Sequence, residues 1–377
     1  MLALDWLDEC GLVRTEGAEF GDAEMTRLTM AALGLLLLST IGCGQGPKAA
    51  GPPFDLTVTK GRCMGCKTAT GLGRVQFVSR KDVWAVGPKG DLSAGNFVVV
   101  HSTDAGRTWR EVPQTHQYTG DPSGPPAFWF LDAMRGWIAS WNPAEEPKII
   151  STWDGGQHWL EVSQQPLQRL QMVDGSRGYG AEAETFLRTN DGGHSWVETK
   201  MPDLGFIDHL IFLTPEIGWI SGTAGGNGRD LFVFRTVNGG RDWEESRTTP
   251  PEQPFLVRDL FFLDRLRGWL ITWGYNDDGS YLYSTVDGGK HWAMDPDLSF
   301  QGKGKYASVV RFTSRERGFC FVDGPDNGQY TLMYTLDGGT HWNKQALREM
   351  VYDCQVFEGD LLCSAWPGFN LVTVHPK

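Results

Sequence analysis

Basic residues are in deficit in this chain. It carries 34 Lys and Arg against 46 Asp and Glu, for a net charge of -12. Beyond residue 43 the balance is 32 bases to 39 acids. That surface excludes general nucleic-acid binding, which needs a basic face. Long apolar runs are missing too. The longest, Leu28 to Gly42, has 15 residues, short of the ~20 that span a bilayer. Cysteine is sparse, at seven in 377 residues. One CxxC occurs, Cys63-Met64-Gly65-Cys66. A zinc site would need two further ligands, and no second CxxC supplies them. No βαβ pattern of the thioredoxin kind surrounds it. A local disulfide, a redox pair and half a metal site remain its readings.

What the chain has in plenty is Gly, at 48, and Trp, at 16. Both recur in one motif. Its copies are Ser102-Thr103-Asp104-Ala105-Gly106-Arg107-Thr108-Trp109, Thr152-Trp153-Asp154-Gly155-Gly156-Gln157-His158-Trp159 and Thr189-Asn190-Asp191-Gly192-Gly193-His194-Ser195-Trp196. Thr236-Val237-Asn238-Gly239-Gly240-Arg241-Asp242-Trp243, Thr285-Val286-Asp287-Gly288-Gly289-Lys290-His291-Trp292 and Thr335-Leu336-Asp337-Gly338-Gly339-Thr340-His341-Trp342 complete the set. The glycines suit a turn that needs positive φ. The acidic residue can accept the turn's own N–H groups. The interval of roughly 37 to 50 residues is that of propellers, solenoids or arrays.

A second module alternates with the first: an apolar strand, a polar turn, then Gly and an aromatic. It reads Phe77…Val83-Trp84, Phe130…Gly136-Trp137, Met172…Gly178-Tyr179, Phe212…Gly218-Trp219, Phe262…Gly268-Trp269 and Phe312…Gly318-Phe319. A degenerate copy follows at Val356…Leu362. Each unit then holds four strands, the content of a propeller blade. Seven first strands against six turn motifs leave the last unit without a fourth strand, and Phe54 to Thr59 without a unit. The expectation is an all-β, seven-bladed β-propeller of four-stranded antiparallel blades, closed by the N-terminal strand pairing in the last blade. Pairing relieves both strand edges.

The N-terminus reads as an export signal. Arg27 flanks the apolar run, while the acidic residues before it suit no signal peptide. Residues 1–24 are therefore expected to be a mis-called extension and 25–43 the signal. Thr40-Ile41-Gly42-Cys43 resembles a bacterial lipobox, which implies lipidation at Cys43 and a membrane anchor. Thr40 stands where Leu is usual, so plain signal cleavage stays open. Residues 44–53 have a linker's composition, and 54–377 are the propeller. Such a chain is expected at the periplasmic or cell-surface side, as a monomer with no cofactor. In an oxidising compartment Cys354 and Cys363, opposite each other about a turn at Glu358-Gly359, suit a disulfide. Cys320 reads as a small core residue.

The turn motif resembles the Asp-box, or BNR, repeat of sialidase-like propellers. Paired with the F-x-D-x-x-x-G-W module, over roughly residues 70–345, it is most similar to the photosystem II stability/assembly factor-like propellers, many of them bacterial lipoproteins. The resemblance implies a non-enzymatic scaffold binding a protein or peptide on its central face. It also implies that Asp104, Asp154, Asp191, Asn238, Asp287 and Asp337 are structural residues of the outer rim.

Candidate ligand residues come from the strand period of two. Counting back from the apolar residue of each first strand, one face carries Arg74, Gln76, Arg169, Gln171, His209, Asp259, Arg311, Asp353 and Gln355. The loops after the second strands add Trp141, Trp273 and Tyr275 as exposed aromatics. The rival reading is a sialidase-like glycan-binding or glycan-cleaving propeller. Arg74, Arg169 and Arg311 would mimic its arginine clamp, but its Phe-Arg-Ile-Pro segment is absent and the inner-strand set contains no Tyr. No catalytic residue is assigned.

Overall fold

The computed structural model describes residues 52–67, 69–88, 97–112, 126–140, 146–224, 231–247, 255–274, 279–295, 306–326 and 329–377. The expected extension, signal, lipidation site Cys43 and tether up to Gly51 lie outside the described residues, as do Trp141 and Tyr275. Among the described residues there are 28 strands and no helix.

After β1 (Phe54–Cys63), the first sheet holds β2 (Val75–Phe77), β3 (Val83–Pro88), β4 (Phe97–Ser102) and β5 (Thr108–Glu111). The second comprises β6 (Ala127–Phe130), β7 (Gly136–Ser140), β8 (Lys148–Thr152) and β9 (Leu160–Ser163). The third runs β10 (Arg169–Met172), β11 (Gly178–Glu182), β12 (Thr185–Thr189) and β13 (Val197–Lys200). In the fourth are β14 (Leu204–Phe212), β15 (Gly218–Ala224), β16 (Leu231–Thr236) and β17 (Glu244–Arg247). β18 (Phe255–Phe262), β19 (Gly268–Gly274), β20 (Ser280–Thr285) and β21 (Ala293–Met294) follow. So do β22 (Tyr306–Phe312), β23 (Gly318–Asp326), β24 (Gln329–Thr335) and β25 (Asn343–Leu347). The chain ends with β26 (Met350–Phe357), β27 (Asp360–Trp366) and β28 (Phe369–Pro376). These pair consecutively and antiparallel, and the molecule is a β-propeller of the Asp-box type.

Each Asp box is the turn between third and fourth strands, and its geometry repeats. In the second sheet the Thr152 hydroxyl donates to Asp154 Oδ1 at 3.0 Å and accepts Gly156 N at 2.9 Å. Asp154 Oδ1 also accepts His158 N at 2.9 Å. Gly155 and Gly156 take φ of 73° and 81°, a region open to Gly and strained for most other residues. Asn238 fills the same role through its amide: Oδ1 accepts Asp242 N at 3.0 Å, and Nδ2 donates to Asp242 at 2.8 Å. The backbone N–H of His158 and that of His341 hold Asp154 and Asp337 down at about 2, helped by the imidazole bonded to each. Every box also rests on the turn between first and second strands of its own sheet, as in Gly155 N to Met134 O, 2.9 Å, and Gly288 N to Leu266 O, 2.8 Å.

The second module joins sheet to sheet. Its Gly has no Cβ because the module's own phenyl ring lies over it; a Cβ on Gly136 would sit 2.2 Å from Phe130, and one on Gly218 2.5 Å from Phe212. The following aromatic stacks on the Phe of the next sheet. Trp84 lies 3.9 Å from Phe130, Tyr179 3.5 Å from Phe212, Trp219 3.7 Å from Phe262 and Trp269 3.5 Å from Phe312. The box Trp then meets that Phe edge-on, as Trp159 does Phe130 and Trp342 does Phe312. Each such pair adds about 0.5–1.5 kcal/mol beyond area burial. The motif's Phe, Gly and Trp are thus one repeated stack.

Closure follows from β1. Phe54 pairs with Pro376 and Gly61 with Phe369, so the N-terminal strand lies antiparallel beside β28. Its last residues continue as a short parallel pairing with β5, Cys63 beside Trp109. The sheet order is therefore β2-β3-β4-β5-β1-β28-β27-β26. Cys354 and Cys363 are bonded across β26 and β27, and Cys63 is bonded to Cys66. Cys320 is buried among the apolar residues between β18–β20 and β22–β23.

Candidate functional site: a cavity lined by the inner strands

Each sheet begins with an inner strand whose free edge faces the next sheet, and side chains satisfy that edge. Gln76 Nε2 donates to Phe130 O at 2.8 Å and Gln76 Oε1 accepts Phe130 N at 2.7 Å. Gln171 bridges Phe212 in the same way, at 2.7 and 2.8 Å. Gln355 of β26 bridges Phe77 of β2, where last sheet meets first. Asp353 Oδ2 accepts Val75 N at 3.1 Å across the same junction. These residues were expected to face a polar lumen for a ligand. Gln76 and Gln355 do line the cavity between the inner strands, and all three glutamines also hold neighbouring strands together, because an inner-strand edge left bare would cost about a hydrogen bond per group.

Between the inner strands lies a cavity of about 460 Å³. Arg74, Arg169, His209, Asp259, Arg311 and Asp353, all predicted from sequence, line it. So do Asp208, Arg258, Ser308 and Tyr352, which the period of two did not select. The reason is a β-bulge repeated in four strands: register shifts between Ile207 and His209, Val257 and Asp259, Ala307 and Val309, and Val351 and Asp353. Each bulge inserts one residue and turns two successive side chains towards one face. The expectation that no Tyr belongs to the inner strands is corrected by Tyr352. Burial pushes the Tyr352 phenol up, the reverse of what an activated nucleophile needs.

Trp273 was expected in an exposed loop. It closes β19 instead, half-buried, its indole donating to Ala307 O of the next sheet at 2.7 Å. Arg258 lies 4.9 Å over its ring, a cation–π contact that fixes the guanidinium beside the cavity.

The arginines differ in what they already hold. Arg311 donates to Asp259, to Cys354 O at 2.8 Å and to Val310 O at 2.7 Å. Asp259 also accepts Val310 N at 2.8 Å and is 6% exposed. Arg169 donates to the carbonyls of Asp208, at 2.7 Å, and Gln168, at 2.9 Å. Burial, then the charge of Arg74, brings its guanidinium down to about 10. Among the described residues Arg74 and Arg258 form no salt bridge, and Arg258 Nε has no hydrogen-bond partner. Burial and the guanidinium groups of Arg169, Arg74, Arg258 and Arg311 hold His209 well below the ordinary imidazole value, so it is neutral. His209 Nδ1 and Asp208 Oδ2 have no partner among the described residues. Burial pushes Asp208 up to about 7, against the pull of Arg169.

Four guanidinium groups thus converge on a cavity in an acidic chain, and one of them is neutralised by a direct ion pair. A partly enclosed site of one sign concentrates the opposite charge. Asp208 sets a pH dependence. As pH falls from 8 to 6 its carboxylate takes up a proton and the competing negative charge disappears, so an anion is expected to bind more tightly at pH 6. Titration calorimetry with an acidic peptide at both values checks this, and weaker binding at pH 6 would contradict it. No cluster of three or more His, Cys, Asp or Glu is placed to hold a metal among the described residues.

No protein-family model matches the chain, and no curated protein matches it in sequence. Solved structures share its fold. A structure of YCF48 bound to D1 peptide superposes with a TM-score of 0.60 at 16% identity, over 86% of this chain and 97% of that one. YCF48 from Cyanidioschyzon merolae gives 0.60 at 15% identity, over 85% and 98%. The GH74 xyloglucanase from Xanthomonas campestris gives 0.56 at 14% identity, over 83% of this chain but 52% of that one. At these identities the likeness is one of fold.

Proposed function

We propose that this chain is a non-enzymatic, seven-bladed propeller scaffold, exported and lipid-anchored at Cys43, whose central cavity binds a protein or peptide partner through an acidic group. The observation that carries the reading is the pair Arg74 and Arg258: guanidinium groups beside a cavity of about 460 Å³ that form no salt bridge among the described residues, although Asp353 and Asp323 lie near enough to feel their charge. A guanidinium fork fits a carboxylate. The sheet order and the Gln355 bridge from last sheet to first support seven blades in a closed ring. The peptide in the YCF48 complex supports the class of partner.

The carboxylates in the cavity argue the same way. Asp259 and Asp353 each accept a backbone N–H of the next inner strand, so neither is free to shuttle a proton. Burial raises Asp208 to about 7 and raises Asp353 as well, but Asp353 is tied to Val75 N, so Asp208 lacks the second free carboxylate that glycoside cleavage takes.

The test is binding of peptides with free and amidated carboxyl termini, or with Asp and Glu replaced by Asn and Gln, by fluorescence anisotropy. Arg74→Gln and Arg258→Gln are each expected to weaken acidic peptides about tenfold to hundredfold, the value of a charge-assisted hydrogen bond. Equal affinity for neutral and acidic peptides would overturn the reading. So would turnover of xyloglucan oligosaccharides or sialosides that Asp208→Asn abolishes.

A further inference from the structure

The starting ends of the inner strands line the cavity, and they pair with the finishing ends of the second strands. Leu256 lies opposite Trp273, Tyr306 opposite Asp323 and Met350 opposite Trp366. Three large apolar side chains are exposed at this end among the described residues: Leu256 by 61%, Tyr352 by 37% and Trp366 by 36%. They belong to the fifth and last sheets. The second, third and fourth sheets expose none there among the described residues. The apolar surface at the cavity is therefore one-sided.

Contacts join these side chains into an arc with an arginine at each end. Arg258 lies 4.9 Å over the Trp273 ring, which is itself 5.2 Å from Tyr306 of the sixth sheet. Asp323, paired with Tyr306, feels Arg258 on one side and acts on Tyr352 on the other. Beyond Tyr352, Trp366 covers Gly71, where a Cβ would lie 3.1 Å from the indole. Leu72 N donates to Gly368 O at 3.1 Å and Ser364 Oγ to Gly73 O at 2.7 Å. These bonds pin the chain to the last sheet immediately before Arg74.

The carboxylates of the arc already have partners. Asp259 pairs with Arg311, Asp353 accepts Val75 N at 3.1 Å, and Asp323 accepts the Ser308 hydroxyl. Asp323 and Asp353 offset part of the charge of Arg258 and Arg74, yet neither arginine forms a salt bridge among the described residues. Both guanidinium groups keep donors for a ligand, and apolar side chains lie along the arc from one to the other. Aromatic residues beside Arg have the composition of the energetic centre of an interface.

We propose that this arc is the docking track of the cavity, and that it selects a peptide whose carboxylate is adjacent to a bulky apolar side chain. The acidic group comes from the functional reading, on which this inference rests; the arc adds the residue beside it. Leu256 and Trp366 supply apolar surface, and Tyr352 a ring with a polar tip.

The test is fluorescence anisotropy on the full chain with two peptides, one carrying Glu next to Phe and the other Glu next to Ser. The Phe peptide is expected to bind about tenfold more tightly, as partial burial of one aromatic side chain should give. Leu256→Ser, Tyr352→Ser and Trp366→Ser are each expected to shrink that ratio several-fold, with affinity for the Ser peptide and the melting temperature unmoved. Arg258→Gln should instead weaken both peptides by the same factor. Equal binding of the two peptides, with the carboxylate still required, would overturn the arc and leave the functional reading standing. So would serine variants that keep the full ratio. A preference for Phe that persists when Glu is replaced by Gln, with no loss of affinity, would overturn the functional reading instead.

Discussion

Phe54→Ala is expected to lower the unfolding free energy by about 3–5 kcal/mol, the range for truncating a buried aromatic. Phe54 is 2% exposed, and its ring meets Phe319 at 5.6 Å and Tyr334 at 5.1 Å, both edge-on. Those partners belong to β23 and β24, whereas Phe54 itself is paired with β28. One side chain from the start of the chain therefore wedges between its last two sheets. Alanine leaves a cavity there and removes both aromatic pairs. Urea denaturation followed by Trp fluorescence checks the value, with the denaturant slope unchanged if the same surface is exposed. A loss below about 1 kcal/mol would mean that the amino-terminal strand does not dock as described.

The second large effect is expected at Asp259. Asp259→Ala should cost about 3–5 kcal/mol, as removal of one partner of a buried ion pair does. The substitution strands Arg311 and leaves Val310 N without its acceptor, since one carboxylate oxygen serves both. Arg311 in turn reaches Cys354 O, so three successive inner strands lose a shared link. Asp259→Leu combined with Arg311→Met is expected to recover most of the loss, because two apolar groups leave no charge uncompensated. Thermal and urea unfolding of the single and double variants decide it. A double variant no better than Asp259→Ala would show that the charge pair is not the source.

The repeated motifs made the architecture legible before any coordinates. Thr152, Asp154 and Gly156 each have a defined job in the turn, so residue identity and spacing both carried information. The pairing of Phe54 to Thr59 with the last sheet was legible by counting strands, because an unmatched strand at one end and a missing one at the other have a single solution. The cavity was only half legible. A period of two selects Arg74, His209 and Asp353 correctly, but it fails where a strand carries an extra residue, and Arg258 and Tyr352 occupy those insertions. Ser308 and Asp208 were hidden in the same way. The glutamines were placed on the right face, yet one-dimensional spacing gives no sign that Gln76 or Gln171 reaches the neighbouring backbone.

The antiparallel pairing of β1 with β28 ties the order of synthesis to the order of assembly. Five sheets are built from consecutive strands and can form as the chain lengthens, but β1 has no antiparallel partner until the final eight strand residues exist. Until then residues 54–61 at the amino end remain an unpaired strand, open to another chain's edge. A product that ends early therefore carries two matching open edges, one in each half of the unfinished sheet, and its natural complement is a second broken copy.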